Sequence, residues 1–308
     1  MSEFRKMGKK VVTDWDDNIF CINPLSPSYR QFGTEEIRWK MDDGSVIEGW
    51  IDGKNIDLEK NRYQLKAMTE GISFADAFIV TGDALKTAYS PYHKNITICP
   101  NSVDLKLWKK MSLQARPGVR MGWFGGNSHY EDWRAIVAPI IRNFMSANPS
   151  VTLVIMGEKW DSLLKGIDER RIEFHPWVHI EAYPYKAALL DLDFAVIPLV
   201  DNDFNNGKST IKWLEMAALE VPAVTSYVEP YTAMMDLVKD NGIFVEGNSM
   251  SGWYEGMTAM VRDTLLRKRM AAAARQTVER FYDADRTWKL WLDAFEAVAS
   301  KKKELEVV

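Results

Sequence analysis

Short apolar runs alternate with amphipathic stretches along most of the chain, the pattern of parallel α/β architecture. In the first region, from Lys9 to Cys99, Val11-Val12-Thr13 enters an acidic turn, Asp14-Trp15-Asp16-Asp17. Leu58 to Phe74 predicts a helix, Ala77 to Thr81 a buried strand, Ala84 to Tyr89 a short helix and Ile96 to Cys99 another strand. Between them lies a polar stretch with Asn23-Pro24, Ser26-Pro27, Asp43-Gly44 and Asp52-Gly53 as breakers. Lys106 to Gly118 reads as a linker. Beyond it the strand candidates are Arg120–Phe124, Val151–Met156, Ile172–Phe174, Phe194–Pro198, Ala223–Thr225 and Ile243–Val245. Helices are expected between them, notably Trp133–Met145 and Tyr183–Leu190. Six strands with intervening helices make one complete Rossmann-like domain. The tail from Met270 to Ser300 is helical in pattern, with Trp288, Trp291 and Phe295 as a stripe expected to pack on the body, and Lys301 to Val308 reads as frayed. The boundaries that follow are 1–115 for a short first domain, 116–282 for the second and 283–308 for a closing helix.

Composition narrows the function classes. The 308 residues can bury about two domains' worth of core, and nearly half of them are hydrophobic. A formal net charge of −4 gives no general attraction to nucleic acid or anionic membrane. The two cysteines, Cys21 and Cys99, are too few for a disulfide framework and form no C-x-x-C pair. With no signal-peptide pattern and no apolar run near the roughly 20 residues of a transmembrane segment, a cytoplasmic protein is expected.

The most informative stretch is Asp203-Phe-Asn-Asn-Gly-Lys-Ser-Thr-Ile-Lys-Trp-Leu-Glu215. It follows an apolar strand, at the sheet edge where α/β proteins bind ligands. Ser209 is a good N-cap residue for a helix expected from Thr210 to Leu219, whose first amides can hold phosphate with Lys208 adding charge. Lys208, Lys212 and Glu215 then share one helix face, and the carboxylate is placed to accept hydrogen bonds from ribose hydroxyls. A capped surface helix with an ordinary Lys–Glu pair is the plainer reading. The stretch is not a phosphate loop of the G-x-x-x-x-G-K-[ST] type, because Asn202 occupies the first glycine's place.

Gly122-Trp-Phe-Gly-Gly-Asn-Ser-His129 leaves the first strand of the second domain. Gly125 and Gly126 let the backbone approach a ligand, Asn127 and Ser128 continue the loop, and His129 can donate to a phosphate; a tight turn explains the same residues. Glu158 lies beyond the spacing at which a dehydrogenase holds a ribose. His175 and His179 flank Pro176-Trp177, in a loop that can contact a nucleotide base through backbone groups or Trp177; neither histidine has metal-ligand partners at suitable spacing, and each singly reads more plainly as a core or surface histidine. The acidic turn at Asp14 and Asp16 resembles the opening of a Mg²⁺-dependent haloacid-dehalogenase-like phosphohydrolase. Asn18 and the lack of a later acidic pair depart from that pattern.

Three motifs together resemble retaining glycosyltransferases of the glycogen-synthase-like group (glycosyltransferase family 4-like), particularly short phage and bacterial versions. Pro100-Asn101-Ser102-Val103-Asp104 is similar to the family's P-N-G-V-D, Asp14-Trp15-Asp16-Asp17-Asn18 to its D-x-D-D segment, and Glu215-Met-Ala-Ala-Leu-Glu-Val-Pro-Ala-Val-Thr225 to its E-A-x-A-x-G-x-P-V-V-x. The family's second glutamate is replaced by Gly207, and its Arg and Lys after the first strand by Gly126 to His129. The resemblance implies the GT-B fold, two Rossmann-like domains with a truncated first one, and transfer with retention from a nucleotide-diphosphate sugar. No cofactor or metal is then required. Lys208, His129 and Asp17 would be catalytic, with Gly125, Gly126, Asn127, Ser128, His179, Ser209, Thr210 and Glu215 holding the donor. The acceptor would be a glycan, lipid-linked or other, and a homo-oligomer or partner chain would complete the short first domain. A non-catalytic nucleotide-sugar-binding protein is the alternative to an enzyme.

Overall fold

The run Ala77–Val80 is apolar at every position, as a strand covered on both faces requires. In the computed structural model, which describes residues 2–40 and 43–300, all four residues are buried. The expected fraying of 301–308 lies outside the described residues. The chain divides into two units: residues 1–100 with 207–209 and 287–308, and residues 101–206 with 210–286.

The first unit contains β1 (Val12–Trp15), an antiparallel hairpin of β2 (Ile37–Lys40) and β3 (Val46–Trp50), β4 (Ala77–Val80) and β5 (Ile96–Ile98). Its parallel sheet has the order β1-β4-β5, with Val12 opposite Ala77 and Phe78 opposite Ile96. Side chains alternate across it: Phe78 and Val80 join Ile72, Leu85 and Tyr89 on one face, while Ile79 meets Cys99, Ala294 and Trp291 on the other. Each such fully buried side chain contributes about 1.5–3 kcal/mol of transfer free energy. The helix Leu58–Phe74 begins where expected, and Asp57 accepts from the Lys60 amide at 2.9 Å as its N-cap.

Two expectations need correction. The polar stretch after the acidic turn holds the β2–β3 hairpin, closed by Asp43, whose carboxylate accepts from both the amide and the hydroxyl of Ser45. The tail is two helices, Thr264–Thr277 and Ala284–Ser300, joined by a π-helical turn over Val278–Tyr282. On the last helix the buried line is Thr287, Ala294 and Val298, with Trp291 packed beside it. Trp288 and Phe295 remain about half exposed, while Trp291 packs beside that line and against the Phe295 ring.

The second unit carries β6 (Val119–Gly125), β7 (Val151–Gly157), β8 (Ile172–His175), β9 (Phe194–Ile197), β10 (Ala223–Ser226) and β11 (Ile243–Val245). All pair in parallel, in the order β11-β10-β9-β6-β7-β8. Counted within the unit this is the doubly wound Rossmann arrangement, with the switch point between β6 and β9. Met121, Trp123, Leu153, Ile155, Phe194 and Val196 face the helices Ala138–Ala147 and Met250–Arg262. Phe124, Val154, Met156, Ala195 and Ile197 face the helices Tyr183–Leu189, Ile211–Ala218 and Thr264–Thr277. The expected helix near Trp133–Met145 is present, but Trp133–Val137 is wound as a π-helix. Pro139 follows, and a proline ring clashes with the carbonyl four residues earlier in a regular α-helix, so the wider turn relieves it.

The expected linker holds no helix or strand, yet it is anchored. Trp108 is buried edge-on to Tyr183, and Arg116 pairs with Asp191 and Asp193 at 2.7 and 3.0 Å. The unit's two ends lie together: Val103 bridges Asp283, donating to the Tyr282 carbonyl at 3.1 Å and accepting from the Ala284 amide at 3.0 Å.

Candidate functional site

At the switch point, β6 and β9 are neighbours whose following helices run in opposite directions along the sheet, which opens a crevice at their carboxyl ends. A narrow cavity lies there, with walls from Phe124 and Ile197 and with His129, Lys212 and Glu215 as its ionisable lining. All belong to the second unit.

The helix Ile211–Ala218 supplies Lys212 and Glu215. Trp213, Leu214, Met216, Ala217 and Ala218 are buried, so the helix is covered almost all round, and these two are its only charged residues. Charged side chains rarely enter such a setting without partners. The Lys212 ammonium donates to the Phe124 carbonyl at 2.8 Å, beside Gly125, where an added Cβ would stand 3.1 Å from Nζ and 2.5 Å from the Trp123 ring. Glu215 Oε2 accepts from the Tyr183 hydroxyl at 2.7 Å. Burial raises the Glu215 carboxyl to about 7, against the opposing pull of the Tyr183 hydrogen bond and the Lys212 charge. Burial and the neighbouring Glu215 hold the Tyr183 phenol well above its ordinary range, so it stays a neutral donor.

The helix start differs from the expected one. Its flanking residue is Thr210, which makes no side-chain cap bond, and Ser209 is not the N-cap. Lys208 and Ser209 lie before the helix, so Lys208 does not share a helix face with Lys212 and Glu215. Ser209 and Thr210 are both cap-type residues, and residue type alone does not decide between them.

β6 ends at Gly125. Gly126 is extended, and Asn127–His129 forms a 3-10 turn closed by the His129 amide donating to the Gly126 carbonyl at 3.0 Å. His129 lines the cavity; Asn127 is exposed, and neither it nor Ser128 lines it. His129 Nδ1 lies 2.8 Å from Asp132 Oδ2, and Asp132 is only 1% exposed. Asp132 Oδ1 accepts from the Val200 amide and from Asn205 Nδ2, both at 2.8 Å. Sequence reading missed Asp132 and Tyr183. The signal for Asp132 was its i, i+3 spacing from His129; Tyr183 had none, its partner being 32 residues away.

Along the sheet, Trp177 lies over Gly157, where an added Cβ would stand 2.5 Å from its ring. His179 is exposed and caps the turn Ile180–Ala182, accepting from the Glu181 amide at 3.5 Å, outside the cavity. His175 belongs to a separate chain of contacts, 2.6 Å from Glu173 and 2.9 Å from Lys186, and the Arg120 guanidinium holds Glu173 down at about 2.

In the first unit, Tyr89 ties down the acidic turn, donating to the Asp17 carbonyl at 2.8 Å and accepting from the Ile19 amide at 3.2 Å. Burial, then Asp16, raises the Asp17 carboxyl, while Lys208 lowers it; burial and Asp16 likewise raise Asp14. Among the described residues no group of three or more His, Cys, Asp or Glu side chains is arranged to hold a metal ion, Asp14 and Asp16 included. No described helix is long and apolar enough to cross a membrane.

A doubly wound sheet with buried charged groups at its switch point places a candidate ligand site at the carboxyl ends of β6 and β9. Residues 122–263 match the family model for glycosyl transferases group 1. No curated protein matches the chain. Among solved structures, the chain is similar to HepE from Anabaena, crystallised with UDP and glucose: the TM-score is 0.63 at 14% identity, covering 97% of this chain and 73% of HepE. It is also similar to TarM, at a TM-score of 0.58 and 15% identity over 80% of this chain and 47% of TarM, a protein also solved from S. aureus. Sucrose-phosphate synthase from Thermosynechococcus elongatus gives 0.56 and 16% identity over 77% and 62%. The chain thus spans about half the length of TarM and about three-fifths of the synthase. These neighbours are GT-B glycosyltransferases, and the fold that the motifs implied is the fold found.

Proposed function

We propose that the protein is a glycosyltransferase that moves a sugar from a nucleotide-diphosphate donor to an acceptor, with retention at the anomeric carbon. The observation that carries this reading is Lys212 and Glu215 on one nearly buried helix at the switch point, facing the end of β6. A buried carboxylate with one oxygen held by Tyr183 keeps the other for the vicinal hydroxyls of a ribose, which donate in pairs. Lys212 and His129 line the cavity, and we assign to them, with the amides of Gly125 and Gly126 at the end of β6, the task of meeting the negative charge that gathers as the sugar–phosphate bond breaks. Preorganised donors of this kind stabilise the departing diphosphate. That chemistry needs no metal in principle, because a cation and amide dipoles supply the same field.

Lys208 and Ser209 remain our further assignment for the diphosphate, and Asp17 for the acceptor. The support is the family-model match across the helix and the glycine turn, together with the neighbours' fold. HepE is recorded with UDP-glucose, which makes uridine nucleotides the first donors to try.

Titration calorimetry with UDP, GDP, ADP, CDP and dTDP tests the reading. One of the five is expected to bind, and Glu215→Ala to weaken it by about tenfold or more, the loss of a hydrogen bond to a charged group. The same variant is expected to bind the matching 2′,3′-dideoxynucleotide as the parent does. Binding of none of the five, or equal affinity in parent and variant, overturns it.

A further inference from the structure

We propose that Asp132 is a positioning residue for His129, fixing the imidazole so that its Nε2 edge meets the diphosphate of the donor. The proposal rests on the donor site above and adds a residue that touches no substrate.

A carboxylate this deeply buried is stable only with its oxygens satisfied. Two of its partners, the Val200 amide and Asn205 Nδ2, come from the segment after β9, across the switch point from His129. They hold Oδ1 whether or not a ligand is present, and Asn205 is itself 1% exposed and donates also to the Val200 carbonyl at 2.8 Å. Oδ2 is thereby aimed at His129 Nδ1. An ionised carboxylate only accepts, so Nδ1 carries the proton and the ring orientation is set. Nε2 is across the ring from that bond, and His129 is the residue of the glycine turn that lines the cavity. With its Nδ1 proton held by Asp132, the ring donates to a phosphate oxygen from Nε2 only as the cation. The Asp132 charge favours that state, as does Glu215 once ionised, while Lys212, the other cation on the cavity, opposes it. Without the Asp132 charge a neutral ring can still present Nε2–H to the phosphate, but it brings no positive charge to it.

The substitution Asp132→Asn separates this role from a merely structural one. The Val200 amide and Asn205 Nδ2 require the remaining oxygen, so the new amide N–H₂ must face the ring, and Nδ1 becomes an acceptor. Nitrogen-15 spectra of the imidazoles, with the His129 signal identified by its loss in His129→Gln, are expected to show the proton on Nδ1 in the parent and on Nε2 in Asp132→Asn. Binding is read with the diphosphate of the five above that binds and with its parent nucleoside. The diphosphate is expected to lose about tenfold in affinity in Asp132→Asn while the nucleoside changes by less than about twofold. His129→Gln should show the same loss, and the double variant no more than either single one. An unprotonated Nδ1 in the parent overturns the proposal even if the Asp132 variant does not fold. So does an equal loss for diphosphate and nucleoside, or additive losses in the double variant. If the parent binds none of the five diphosphates, the donor-site reading falls with it; if it binds one and Asp132→Asn matches the parent, this proposal alone falls.

Discussion

A glutamate that titrates near 7 instead of its ordinary 4.5 leaves a mark on stability. Because the folded value lies above the unfolded one, the folded state binds the extra proton between those limits. Stability contributed by the neutral carboxyl is complete below pH 4.5 and is lost as pH rises to about 7, by roughly 3 kcal/mol. Denaturant melts of the parent and Glu215→Gln across pH 4–8 should diverge over that window and run parallel outside it. In Tyr183→Phe the window should extend upward, since the phenol's hydrogen bond lowers the carboxyl's titration. Nucleotide binding has the opposite sign, because a ribose hydroxyl needs the ionised form as acceptor. Glu215 and His129 were legible as residue types at suggestive places, whereas their supports were not. Asp132 reads as one more polar position at a helix start, and Tyr183 as a helix-opening aromatic, until packing brings them to their partners.

At the scale of elements, apolar runs bounded by breakers located the strands β4, β6, β7, β9 and β10, which are covered on both faces and carry a nearly unbroken signal, whereas β1, with Asp14 inside it, showed only as the run entering an acidic turn. The β2–β3 hairpin escaped because its strands are half-exposed and their alternation, Ile37-Arg-Trp-Lys40, is short. The helix Ile211–Ala218 begins one residue later than expected, because Ser209 and Thr210 are both cap-type residues and their types do not decide the boundary. Gly157, ending β7, shows how tightly the carboxyl edge is built. Its φ is +112°, and a Cβ there would stand 2.4 Å from the Gly125 carbonyl oxygen, a backbone atom that cannot swing aside. Gly157→Ala is expected to cost about 1–3 kcal/mol in urea unfolding from backbone strain, with the added clash at Gly125 on top. It should also weaken diphosphate binding, because the displaced strand end carries the glycine turn.

For the molecule as a whole, the doubly wound order of the second unit followed from six strands and their helices, and the fold class could be read before any coordinates. The discontinuity of the first unit could not, because nothing in the pattern of Ala284–Ser300 names the sheet it covers. Ile79 and Cys99 owe their burial partly to Ala294 and Trp291. A fragment of residues 101–286 is therefore expected to melt cooperatively alone, monitored by circular dichroism. Residues 1–100 should do so only when joined through a short glycine–serine linker to a segment from Thr287 onward.

The bridge between Val103 and Asp283 sets these events in time. Because the chain leaves and re-enters the first unit at neighbouring points, the second can close on itself as an insert while the first still waits for its last helix. On the ribosome the half begun later is then the half finished sooner. The opening strands must be kept from other sheet edges until the helix Ala284–Ser300 has been made.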